Sequence, residues 1–155
     1  MSNDTYEEIA DRSWEDIPVE KTLPSGSWLL RGRNATYRDP KDEDGSPTVT
    51  FVHAVKEPMD DVDDGELKGL GEGYDFGQNR IFTTFWLETG KDYAKVRDFL
   101  AKHGIIVDPK KSVKESLGPF KGSEVVAILG AQSYRDKAGE EQEKNVASSF
   151  TKLEG

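Results

Sequence analysis

Residues Arg80–Glu88, RIFTTFWLE, alternate with a period of two and carry large apolar side chains on both faces. Ile81, Thr83, Phe85 and Leu87 share one face; Arg80, Phe82, Thr84 and Trp86 share the other. Such a run commits to a strand. A small domain can bury only one of those faces in its interior. Ile81, Phe85 and Leu87 already fill that side, so Phe82 and Trp86 must be covered by another segment, meet a second chain, or stay bare for a ligand.

The segment that follows, TGKDYAKVRDFLAKHG, has a helical period. Thr89 and Asp92 stand at capping-box spacing, with Asp in place of the usual Glu. Tyr93, Val96, Phe99, Leu100 and His103 repeat along one stripe, and Gly104 ends it.

Further strands flank this unit. Ser27–Arg38, SWLLRGRNATYR, reads as a long strand interrupted at Gly32, where a bulge or bend is expected. Thr48–Lys56, TVTFVHAVK, is β-branched and aromatic. The two form an antiparallel hairpin across the acidic loop Asp39–Pro47. Pro58 ends the second strand, and Met59–Asn79 holds five glycines and many acids. Its composition predicts a functional or disordered excursion rather than core. Glu124–Tyr134 is a fourth strand, RDKAGEEQEK a polar turn, and Asn145–Phe150 a fifth strand. Residues 1–22 read as an acidic, partly ordered lead-in with a short helix around Tyr6–Ile9 and an anchoring Trp14. The folded domain spans 23–151, and 152–155 form a short tail.

Three strands, one helix and two strands are expected to build a mainly β domain, a five-stranded OB-fold Greek-key barrel with one α-helix between strands 3 and 4. The rival arrangement is an open α+β sheet with the helix on one face.

Composition narrows the function. The chain has 155 residues and a net charge of −9, enough for one domain. It has no cysteine, which removes disulfides, Cys-zinc sites and thiol catalysis. The opening residues carry no secretory signal, and no apolar run is long enough to span a bilayer, so a cytoplasmic protein without a membrane partner is expected. The charge is uneven. Residues 1–20 hold seven acids and one base, and residues 39–66 hold ten acids and two bases. Residues 21–38 hold Lys21, Arg31, Arg33 and Arg38 and no acid. An acidic chain of this kind can still present a basic face, and local field decides whether a polyanion docks.

The stretch GSEVVAILGAQSYRDKAGEEQEKNVASSF resembles the end of small bacteriophage OB-fold single-stranded-DNA-binding proteins, carried by Leu117, Gly118, Gly122, Tyr134, Asp136, Lys137, Gly139, Asn145, Val146 and Phe150. The opening LPSGSWLLRGRNATY is similar to their first strand, so the resemblance covers about residues 24–150. It implies a role in phage replication or recombination, in the cytoplasm of the infected host, with replication or recombination proteins as further partners and a homo-oligomer as one form. Many such proteins end in an acidic tail; this chain ends SSFTKLEG, and its acids lie at the front and in two loops.

Single strands are held by cations for the phosphates and rings for the bases. Candidate phosphate-binding residues are Arg31, Arg33, Arg80, Arg135 and Lys137. Candidate stacking residues are Tyr37, Phe51, Phe82, Trp86 and Tyr134, with His53 sharing the face of Phe51. Arg31, Arg33 and Tyr37 have common parity provided Gly32 leaves the register intact. Trp28 is expected in the core.

Catalysis finds no residue set. His53 and His103 lack metalloprotease spacing, and His103 falls at a helix C-terminus, where a capping role is expected. Gly69, Gly71 and Gly73 follow no strand and open no helix. Asp60, Asp61, Asp63, Asp64 and Glu66 miss the ligand positions of a calcium loop. Neither catalytic residue, metal nor cofactor is therefore expected. The alternative from another class is an acidic protein-interaction module, a virion component or DNA mimic, favoured by 30 acids against 21 bases.

Overall fold

The computed structural model describes residues 21–153. The expected helix near Tyr6–Ile9 and the anchoring role of Trp14 lie outside the described residues. Five strands form one antiparallel sheet: β1 (Gly26–Arg38), β2 (Thr48–Pro58), β3 (Arg80–Trp86), β4 (Glu124–Arg135) and β5 (Glu141–Lys152). Their order is β3-β2-β1-β4-β5, so the hydrogen-bonded sheet is open, with β3 and β5 at its edges. Among the described residues three α-helices accompany it, not one: α1 (Asp64–Lys68), α2 (Gly90–Lys102) and α3 (Val113–Ser116), with 3-10 turns at Phe76–Gln78 and Gly118–Phe120.

Side-chain alternation curls the sheet around its apolar face. Trp28 and Leu30 of β1, Val55 of β2, Ile81 of β3, and Val125, Ala127 and Leu129 of β4 pack at one end with Leu23, Val62 and Leu70. Val49 and Phe51 of β2 pack at the other with Val96, Phe99 and Leu100 of α2 and with Leu117 and Phe120. The 59–79 excursion is therefore core at one end, contrary to its composition. Val62, Leu70 and the Phe76 ring, 5.1 Å edge-on to Trp28, supply apolar contacts between solvated acids. Asp61 accepts from the Ser27 N–H and hydroxyl, both at 2.8 Å, and Asp63 caps α1. Those acids thus tie the loop down, and among the described residues no three His, Cys, Asp or Glu side chains converge as for a metal ion.

The edges β3 and β5 come close to one another although no ladder joins them. A register shift opposite Ala127, where Ser149 has φ 51°, turns Phe150 inward against Phe99 at 4.8 Å and His53 at 5.7 Å. Phe150 thereby joins the two halves of the core. β5 begins at Glu141, earlier than its apolar residues suggest, because Arg135 pairs with Glu141 and only Asp136–Glu140 turns. The Asp136 side chain accepts from the Ala138 and Glu140 N–H groups, which shapes that turn.

β1 forks at Gly32. Its first half, Gly26–Arg31, pairs with β4, and Gly32 makes the last links, donating to Ser123 O at 2.7 Å and accepting from Gly122 N at 2.9 Å. A Cβ at Gly32 would stand 2.2 Å from Phe120 O. Gly32→Ala is therefore expected to cost about 2 kcal/mol by forcing the 118–120 turn off the strand, measurable as a lowered denaturation midpoint. Among the described residues no helix is long and apolar enough to cross a membrane.

Candidate nucleic-acid interface

The register across β1, β2 and β3 builds an outer face in four rows. From one end they are Arg38–Thr48–Trp86, Thr36–Thr50–Thr84, Asn34–Val52–Phe82 and Arg31–Ala54–Arg80. Residues directly opposite one another in an antiparallel pair point to the same side, so each row projects away from the core. Phe82 is 68% exposed and Trp86 61% exposed, among the barest large rings in the described chain. Neither is covered by the excursion. They stand four residue steps apart along the strand, about 13 Å at ~3.3 Å per residue. Thr50 and Thr84 join hydroxyls at 3.1 Å between the two rings, which leaves a polar saddle in an aromatic ridge.

Three of the ring assignments made from sequence change. Phe51 is fully buried among Phe85, Phe99 and Phe120 and cannot stack on a base. His53 is fully buried too, because Val49, Phe51, His53 and Val55 take the inner side of β2. Tyr37 also points inward, half-buried in the row Tyr37–Val49–Phe85, with the Lys114 Nζ 4.9 Å from its ring centroid. The cause is the bulge in β1. Gly32 pairs with His53 and Asn34 with Val52, so Arg33 is the extra residue and every later side chain changes phase. Arg38, not Tyr37, therefore stands in line with Trp86. Counting one residue past the suspect Gly32 is the signal that finds it.

The cations fall into three groups. Arg31 sits on the outer face and Arg33 on the bulge, both exposed, and with Arg38 they take part in no ion pair among the described residues. Arg80 is half-buried and donates to Gly77 O at the end of the 76–78 turn, a structural tie. Lys56, another outer cation, bonds Glu124 at 2.8 Å. Tyr134, Arg135 and Lys137 belong to the β4–β5 arm. That arm runs past the Gly26 end of β1, whereas Trp86 lies level with its Arg38 end. The Lys144 Nζ lies 5.4 Å from the Tyr134 ring centroid, and Arg135 donates to Gly139 O at 3.2 Å. So Arg31, Phe82 and Trp86 meet on one face with the newly placed Arg38, while the arm residues form a separate set.

The field over this face is graded. The groove beside Trp86 is lined by Arg38 and Lys41 but also by Asp39 and Asp42, which balances charge there. The concavity at Arg31 and Arg33 contains Lys56 and one carboxylate, Asp75. Its continuation around the fork, lined by Arg31, Gly32, Arg33, Lys121 and Gly122, has no carboxylate in its lining. Cations thus outnumber carboxylates at the fork, where Glu124, opposite Arg31 in the ladder, is bonded by Lys56 at 2.8 Å, and two bare rings stand between there and the Arg38 end.

Behind the face lies a buried histidine pair. His53 Nε2 and His103 Nε2 are 2.8 Å apart, and His103 Nδ1 lies 2.7 Å from Phe99 O. A carbonyl only accepts, so His103 carries its proton on Nδ1 and its Nε2 must accept from the His53 Nε2–H. His53 Nδ1 is then a buried acceptor, and it has no hydrogen-bond partner. Burial pushes the His53 pKa down to about 3, with His103 adding to the effect; burial lowers His103 as well, against the opposing bond to Phe99. Both rings are neutral packing elements, and His103 caps α2 at its C-terminus as expected.

Compared with known proteins, the chain matches no family model and no curated sequence.

Proposed function

We propose that this chain is a non-enzymatic OB-type barrel that binds single-stranded DNA with little sequence preference. The observation that carries the proposal is the meeting of two bare rings, Phe82 and Trp86, with the exposed guanidiniums of Arg31 and Arg38 on one sheet face, neither in an ion pair among the described residues. Every base has a π-face, so a ring platform accepts any sequence, while Arg31, Arg33 and Arg38 offer charge to the backbone. The architecture supports the fold assignment. β1 is shared between β2 and β4, α2 lies between the third and fourth strands, and the two sheet edges come close to one another. The resemblance of residues 24–150 to phage single-strand-binding proteins supports a place in phage replication or recombination within the infected cell.

The excess of acids is the argument for the alternative, an acidic interaction module or DNA mimic. A mimic needs carboxylates spread over its docking face, and the excess of cations in the lining of the fork runs against that.

Tryptophan fluorescence tests the proposal. Trp28 is fully buried and Trp86 exposed, so a stacked base should quench Trp86. Oligo(dT) is expected to quench and a duplex of equal length to leave the signal unchanged. The quench should vanish in Trp86→Phe, and affinity should fall steeply with salt. Silence toward both nucleic acids would move the assignment to the interaction module.

A further inference from the structure

The fork at Gly32 opens onto a second groove that the aromatic face does not include. Along the edge of β1 that β4 leaves free beyond Gly32, a concavity is lined by Arg33, Asn34, Thr36, Tyr37, Lys114 and Lys121. Arg33 and Lys121 line both this groove and the fork, and Arg33 also lines the concavity on the outer face. The bulged residue therefore joins the outer face to the edge groove. In the fork and the edge groove together, the lining holds Arg31, Arg33, Lys114 and Lys121 and no carboxylate. In a chain of net charge −9 this is an unusual stretch of surface. Two details fix its cations. Lys114 lies over the Tyr37 ring, which holds its ammonium at the groove wall. The neighbouring acid, Glu115, is occupied by the α3 capping box with Ser112.

We infer that Arg33, Lys114 and Lys121 form a backbone-binding extension of the single-strand site, so that a longer strand leaves the Phe82–Trp86 ridge and runs into the groove along the free edge of β1. The ligand class is a polyphosphate backbone. The groove offers no free ring, since Lys114 occupies the face of Tyr37, so phosphates rather than bases are held there. The inference rests on the single-strand reading above.

The test uses the full chain and two labelled oligo(dT) probes, of about 4 and about 12 nucleotides, near the limits of what one such barrel covers. Lys114→Glu/Lys121→Glu is expected to weaken the long probe roughly tenfold and the short probe less than about twofold. The milder Lys114→Gln/Lys121→Gln should lower the steepness of the salt dependence for the long probe by about 1.4, the value for two phosphate contacts on a single strand. Equal losses on both probes would mean a diffuse field and overturn the extension, as would no loss on either. If the wild-type chain bound both probes through Phe82 and Trp86 while the lysine variants matched it, the extension alone would fall. If the wild-type chain bound neither, the single-strand reading would fall with it.

Discussion

Phe82→Ala/Trp86→Ala is expected to weaken binding to oligo(dT) about a thousandfold while leaving the fold intact. Each stacked base is worth ~1–3 kcal/mol; taking ~2 for each ring gives ~4 kcal/mol, or roughly three decades in Kd. Stability should hold within about 0.5 kcal/mol, because both rings are more than half exposed and project from the outer rows. Thr84→Ala, on the same face between them, is the control and should change Kd less than about twofold. The comparison separates stacking from charge, since the double variant keeps every cation. A Kd for the double variant within threefold of wild type would show that the rings are not the platform.

Acidification should destabilise the domain well above the range in which carboxylates titrate. His53 has a folded pKa of about 3 against an ordinary value of 6.5. A depressed value means that the unfolded chain takes up the proton first. The stabilisation is complete above pH 6.5 and drains away as the pH falls toward 3. The slope is about 1.4 kcal/mol per pH unit for one proton, so His53 alone removes about 2 kcal/mol between pH 6.5 and 5. His103, shifted in the same direction, adds to it. Asp61 and Asp92 are lowered by the N–H groups of Ser27 and Thr89, so their contributions disappear only at more acid pH. Denaturant titrations at pH 7, 6 and 5 measure the slope, and His53→Phe should flatten it by one proton. A wild-type midpoint constant across that interval would refute the neutral pair.

The strand in RIFTTFWLE was legible because both of its parities are occupied, and the register with β2 places each side chain as the alternation predicts, although pairing stops at Trp86, two residues before the expected end at Glu88. The helix Gly90–Lys102 was equally legible from its stripe and from Asp92, which accepts from the Thr89 N–H at 2.9 Å. β2 was harder. Thr48, Thr50, Val52 and Ala54 suit either face, and only the greater bulk of Phe51, His53 and Val55 selects the interior. Tyr37 escaped because a glycine announces a bulge without stating how many residues it inserts. The core role of Val62 and Leu70 was hidden by the acids around them, since isolated apolar residues in the turns on either side of a short helix show no period. β5 was shortened for a related reason: Glu141–Lys144 pairs with β4 in a two-stranded arm that faces water on both sides, so no alternation marks it.

That arm has a mechanical consequence. From Gly130 to Arg135, β4 is laddered to β5 alone, and a two-stranded ribbon is marginal without a third strand or a packed face. Its amide protons can exchange by unzipping from the Asp136–Glu140 tip while the Phe150 junction stays shut. Among the described residues the sheet is thus a hub with a two-stranded lever, and Tyr134 and Lys137 ride on the lever.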